Sequence, residues 1–521
     1  MNSSQLLFSL YGFLPEFLLI ATFVAGAIAA RRQAFSEQLP AVLAVGYAVA
    51  GVLVLLIQLP LADNAFKAEW LFKGPDQPLG YGMVMIDPMV VVAKLTLLLP
   101  LLGAELSRWR AGAAVQNFPA SIFHCSGLLG LWLVVGSDDL LTLVAGLELV
   151  GLSAWRMLQQ TGGNSRRIVL LSAAATPAML VGIGLIASFT GATNYATINN
   201  ITTAQNSAPI PLLPFVGGSL LLLVGIALRG GLFPSFTAAP NLPDSAPLTV
   251  RIFLALLAPT GVMVGVMRLL GRAWPTQLPE LQWQPFVGGL TVMVMLLATV
   301  AMLRHVRLHQ VLVHSITVSV AFLFLPILPL SGGVGGGGHN VVEMLIGVIT
   351  SALALLLLLS PNGNAAPPRT IADLQGIGRG ERMDAHLLFA GFMLLAGLPW
   401  GILFRTRPFL LIELAEQGYH WIAAMGALAM LGMWAVAVRI AIVGYRNRQS
   451  PGASQPPQTP SLAPSLTPSL TPPSVGISIN RGRLGVAAVL LLANVVSAIP
   501  PVFDSLRLWL HSWFGSVAGG W

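Results

Sequence analysis

One feature constrains this chain more than any other: a succession of apolar runs, each about 20 residues long, with little between them that could face water. A transmembrane helix needs about 20 consecutive, mainly apolar residues. Runs of that kind cover 6–30, 40–62, 85–105, 119–136, 138–158, 168–189, 212–233, 248–270, 286–302, 311–330, 341–359, 386–404, 419–445 and 484–501. Charged residues are 9% of 521, against about 25% in a soluble domain, and the mean hydropathy is +0.79. A surface that poor in charge cannot be covered by water, so lipid is the expected solvent. The sequence predicts an all-α, polytopic membrane protein of about fourteen transmembrane helices.

The net charge of +8 at first suggests a nucleic-acid binder. The basic residues exclude it, because they stand one to three at a time between apolar runs, as helix-end anchors do. Odd-numbered loops carry most of them, among them Arg31, Arg32, Arg166, Arg167, Arg251, Arg304 and Arg307; even loops carry only Lys67, Lys73, Arg268, Arg272, Arg405 and Arg407. By the positive-inside rule, odd loops face the cytoplasm and both termini lie outside. The start, Met-Asn-Ser-Ser-Gln, lacks the basic segment of a signal peptide, so the first run is expected to be a retained helix. Cys125, the single cysteine, rules out internal disulfides and any cysteine-ligated zinc or iron–sulfur site. Neither metal nor cofactor is expected in this chain.

The tract 449–480 is rich in Pro, Ser and Thr and is predicted to be a disordered tether to a last helix within 481–521. The glycine run 332–338 follows a membrane helix and not a strand, so it is expected to be an external loop and not a nucleotide site.

An ionisable side chain inside a span is costly and points to function by default. Glu148 lies in the middle of Leu140-Leu-Thr-Leu-Val-Ala-Gly-Leu-Glu-Leu-Val-Gly-Leu, with no neutralising group nearby in sequence. Its partner must come from another helix, either as a structural ion pair or as part of a proton relay. Two segments carry clustered prolines and glycines at membrane depth: 229–247, with Pro234 and Pro240, and 397–408, with Pro399. Such clusters free backbone groups that only protein or a wet cavity can satisfy. The breaks fall in the seventh and twelfth helices, five apart, as in transporters with inverted repeats. Arg229 and Arg407 adjoin them, either snorkelling or functional. Lys94, the one lysine inside a span, is expected to pair structurally with Asp87; His309 and His314 are expected to bond helix ends or to transfer protons, and His124 to be a satisfied core histidine.

With Met85-Ile-Asp-Pro, Ser137-Asp-Asp-Leu-Leu-Thr-Leu-Val-Ala-Gly-Leu-Glu-Leu, Phe189-Thr-Gly-Ala-Thr, the break at 234–247 and Leu395-Ala-Gly-Leu-Pro, the chain resembles the antiporter-like membrane subunits of respiratory complex I, subunit N of NADH–quinone oxidoreductase foremost. The resemblance implies N-terminal helices over 1–110, one five-helix repeat over 119–270 and a second, inverted, over 284–445. It implies a proton pathway through Glu148, Arg229, Arg167, His309 and Arg407, of which the arginines at 229 and 407 stand where the family has lysines. Phe236 stands where a histidine is usual, and Ser319 replaces another. Desolvation lets a buried lysine release its proton, whereas arginine stays charged. The expected function is a membrane-arm subunit coupling quinone reduction in partner subunits to proton translocation, in the inner (plasma) or thylakoid membrane. The alternatives are a non-pumping structural subunit, a cation/proton antiporter and a membrane-bound hydrogenase subunit. The implied partners are other membrane subunits, the lipid bilayer and, through the complex, quinone.

Overall fold

A computed structural model describes residues 11–31, 38–62, 83–110, 120–161, 165–204, 212–229, 239–243, 246–274, 283–332, 337–360, 368–377, 383–446 and 481–499. Helices fill nearly all of them: α1 Leu14–Arg31, α2 Leu39–Ala62, α3 Pro88–Arg110, α4 Ala120–Gly136, α5 Leu140–Gln160, α6 Ser165–Thr190, α7 Leu212–Arg229 and α8 Leu248–Ala273. They continue with α9 Trp283–Arg304, α10 Leu308–Phe324, α11 Gly337–Leu358, α12a Met383–Ala396, α12b Ile402–Glu416, α13 His420–Tyr445 and α14 Arg481–Ser497. Each apolar run of the sequence coincides with one of these. Among the described residues, nine helices are long and apolar enough to cross a membrane, and α1, α4, α7, α12a and α14 are shorter apolar helices. The chain is a multi-pass membrane protein. Gly337 and Gly338, expected in a loop, open α11, and the tract 449–480 lies outside the described residues.

α8, α10 and α11 are buried almost all round, while more than half of α6, α9 and α13 faces outward. The outward faces carry large apolar side chains such as Leu56, Leu141, Val300 and Ile412, as a lipid boundary requires. Close helix contacts use glycine: a Cβ on Gly182 of α6 would lie 2.6 Å from the Gly218 carbonyl of α7, and one on Gly218 lies 2.8 Å from that of Gly182. Small residues at a membrane helix interface let backbones touch, and dispersion then holds them.

Isolated antiparallel bridges join Asp139 to Asn194 and Arg307 to Thr370. The first ties the residue before α5 to the loop after α6, and the second ties the residue before α10 to the loop after α11. The two bridges are thus offset by five helices, an odd number, which sets them at opposite faces if every helix crosses. That is the symmetry an inverted repeat demands.

Candidate functional site

α5 begins where Asp139 caps it, its carboxylate accepting from Leu141 N at 2.8 Å and from Thr193 Oγ1 at 2.6 Å. Glu148 lies nine residues further, about 13.5 Å along the axis at 1.5 Å per residue and therefore near the middle of a ~30 Å hydrocarbon layer. Its two oxygens are divided. Thr176 of α6 donates to Oε1 at 2.7 Å, and Arg229, the last residue of α7, donates to Oε2. Arg229 is nearly enclosed, whereas the Glu148 side chain remains 28% exposed. Position favours the cation: the C-terminal end of α7 carries the negative end of the helix dipole.

Sequence reasoning missed the residue that admits this contact. Gly151 lies one turn after Glu148 on the same face, and a Cβ there would sit 2.3 Å from Arg229 Nε. Gly151→Val is expected to push the guanidinium off the carboxylate and to lower the thermal unfolding midpoint of the protein. Gly184→Val on α6, where a Cβ meets nothing within 4 Å, is expected to leave it unchanged. Thermal unfolding of each purified variant decides it.

Pro234 and Phe236 lie outside the described residues. Pro240 is buried in a short 3-10 turn, Ala239–Asn241. The carbonyls of this stretch are met by side-chain donors: His309 Nε2 of α10 donates to Ala239 O at 3.0 Å, and Arg251 donates to Ala246 O at 3.1 Å and Pro243 O at 3.3 Å. Arg251, counted from the sequence among the loop anchors, is a buried residue of α8, which starts at Leu248, where the apolar run 248–270 begins.

α10 carries the polar groups onward. His314 stacks on His305 with ring centroids 5.1 Å apart and planes within 7°, a pairing the spacing from His309 did not reveal. One turn beyond Ser315, Ser319 accepts from Arg407 Nη2 at 2.8 Å. Arg407, on α12b, is wholly buried; its Nη1 reaches back across the second break to Leu395 O at 3.0 Å, and its guanidinium lies 4.9 Å from the Phe322 ring. No carboxylate pairs with it among the described residues. The second break, 397–401, contains Pro399. Gly397 turns it with φ +72, and Trp400, 75% exposed, takes φ +80, a strained value for a side chain that size. Arg167 belongs to α6, nine residues before Thr176, and its side chain lies outside the described residues.

Two ion pairs correct the sequence reading. Lys94 does not pair with Asp87; it pairs with Glu16 of α1 at 2.5 Å. Asp87 caps α3 through Val90 N at 2.8 Å and is bound by Arg268. Seven residues place Asp87 and Lys94 about 10.5 Å apart along the helix, too far for a direct contact. His124 is a satisfied core histidine, bonded to Tyr47 at 2.6 Å and Glu105 at 2.9 Å. Among the described residues, no group of three or more His, Cys, Asp or Glu is arranged to hold a metal ion.

Fold and site together define a multi-pass helical membrane protein that encloses charged side chains between its helices. The chain belongs to the family described as NADH:quinone oxidoreductase/Mrp antiporter, TM, which matches residues 137–432. Its relatives include NADH-quinone oxidoreductase subunit N of Azorhizobium caulinodans, 26% identical over 411 residues covering 76% of this chain and 80% of the relative. Subunit N of Parvibaculum lavamentivorans is 24% identical over 359 residues, 67% of this chain and 72% of that one. The fold is shared with a chain of respiratory complex I from Thermus thermophilus, at TM-score 0.67 and 17% identity over 94% of this chain and 97% of that one. It is also shared with a chain of the Mrp complex from Dietzia, at TM-score 0.74 and 15% identity over 99% and 98%.

Proposed function

We propose that this chain is a membrane-arm subunit of an NADH–quinone oxidoreductase-type complex, in which electron transfer to quinone in partner subunits drives proton translocation through the axis Glu148, Arg229, His309 and Arg407. Residues 119–270 and 284–445 would be its two antiporter-like repeats, and Arg167 the basic group of the sixth helix. The observation that carries the reading is the Glu148 carboxylate, midway along α5 and held between Arg229, at the end of α7, and Thr176. A carboxylate so placed can take a proton when the guanidinium swings away and release it when the guanidinium returns. Arg229 acts by position and charge, because arginine does not give up its proton. Partner subunits in the bilayer supply the redox chemistry, and quinone meets the complex there. The chain resides in the inner (plasma) or thylakoid membrane, and the arginine distribution places both termini outside.

A second reading, a structural subunit that does not pump, is favoured by one observation: Arg407 is permanently charged and bonds only neutral groups among the described residues. The comparison of proton translocation with quinone reduction in the Glu148→Gln complex separates the two. Uncoupling supports the first; unchanged coupling supports the second.

A further inference from the structure

Outside the segment that matches the family, α1, α2, α3 and α4 enclose a second set of ionisable groups that the axis does not use. We propose that Glu16, Gln58 and Lys94 form a proton-binding site of their own. Lys94 and Gln58 are completely buried and Glu16 nearly so. Lys94 Nζ donates to Glu16 Oε1 at 2.5 Å and to Gln58 Oε1 at 3.0 Å. Gln58 Nε2 in turn donates to Glu16 Oε1 and Oε2 at 3.2 and 3.1 Å, and to Gly12 O at 2.9 Å. The Trp132 ring of α4 lies 5.6 Å from Nζ, and its Nε1 donates to Lys94 O at 3.2 Å.

Three features make this a proton site as well as an ion pair. First, both members are ionisable side chains joined by a direct hydrogen bond. Moving one proton along the 2.5 Å bond breaks Nζ–H and forms Oε1–H, and the pair is neutral before and after, which low dielectric tolerates. The amine so formed can then accept a further proton, leaving a neutral carboxyl beside an ammonium. Second, Gln58 closes the π-turn Val54–Gln58 of α2. A π-turn displaces the helix ladder and recurs at functional sites; here it delivers an amide that bonds either charge state. Third, α3 carries acids on both sides of Lys94. Asp87 lies about 10.5 Å along the helix in one direction and Glu105 about 16.5 Å in the other. Together they span about 27 Å, nearly the ~30 Å hydrocarbon layer.

The Glu105 end is itself a chain of exchangeable protons. Tyr47 OH and His124 Nδ1 are 2.6 Å apart, and His124 Nε2 and Glu105 Oε1 2.9 Å. Arg108 donates to the same carboxylate at 2.9 Å. Between the two clusters Pro100, lacking an N–H, leaves the Thr96 carbonyl without its helical donor. Other charged groups on the helices packed against α3 are engaged elsewhere: Arg268 by Asp87 and Arg251 by the Pro243 and Ala246 carbonyls. Tyr47 and Cys125 are weak acids, and Glu343 of α11, Asp138 and Asp139 are the further buried carboxylates among the described residues.

The test reads protonation directly, by infrared difference spectroscopy of the purified complex as pH is stepped. The wild-type complex is expected to show a protonated-carboxyl band that grows as pH falls and is lost in Glu16→Gln. Gln58→Leu, which keeps both ionisable groups, is expected to shift the midpoint of that band, and Lys94→Arg to abolish its titration. Should Glu16→Gln fail to assemble, Glu16→Asp must move the band. A band identical in wild type and in the assembled Glu16 variant would overturn the proposal, because a purely structural pair stays ionised. Glu148→Gln should leave this band in place, so the outcome is independent of the pumping reading.

Discussion

Vesicles carrying the complex with Glu148→Gln are expected to reduce quinone while translocating at least tenfold fewer protons, a loss of about 1.4 kcal/mol or more in the coupled step. Glutamine keeps the size of the side chain and the hydrogen bond from Thr176 Oγ1, but it cannot bind and release a proton. The variant also leaves Arg229 without its carboxylate. Breaking a fully buried pair costs about 3–5 kcal/mol, and the cost here is smaller because the Glu148 side chain is 28% exposed. Assembly should therefore survive. Arg229→Lys offers the complementary measurement: it keeps the counter-charge and adds a group that can titrate, so proton translocation is expected to be retained. Full coupling in Glu148→Gln would assign this chain to the structural role.

The largest effect on stability is expected at Asp87 and Arg268. Arg268 donates to Asp87 Oδ2 and, through Nε, to the Ser137 carbonyl at 2.9 Å, so it ties α8 to the start of α3 and to the turn before α5. Both side chains are almost fully enclosed. Arg268→Met strands a buried carboxylate, a loss of about 3–5 kcal/mol. The complex is then expected to lose this subunit from membranes, measured as its amount relative to a partner subunit. Asp87→Leu with Arg268→Met removes both charges and should recover most of the loss, since apolar replacement of a buried pair is often neutral. A double variant as depleted as the single would show that the Ser137 contact, and not the ion pair, holds the two regions together.

Much of the architecture was legible in the residues. Apolar runs define helices in lipid because every backbone group must be satisfied within its own segment, and each run has its helix. Glu148 stood out because nothing in its run could neutralise it. The break at 397–401 could be anticipated from Gly397 and Pro399, whose backbone chemistry is local. Arg251 and Arg268 were less accessible: both lie near helix ends, where a sequence cannot distinguish an arginine snorkelling to the interface from one folded back into the protein.

Partner choice belongs to the tertiary structure. Lys94 could not be assigned from its own helix, because the carboxylate that meets it lies 78 residues earlier, on α1. Gly151 looks like any helix glycine until α7 brings the Arg229 side chain against it. The sequence by itself determined that this chain lives in a membrane, where its helices run and which charges are out of place there, since those depend on the transfer of each segment from water. Which charge meets which was decided only by packing, because an ion pair is a contact of a few ångströms between helices whose positions no single run encodes.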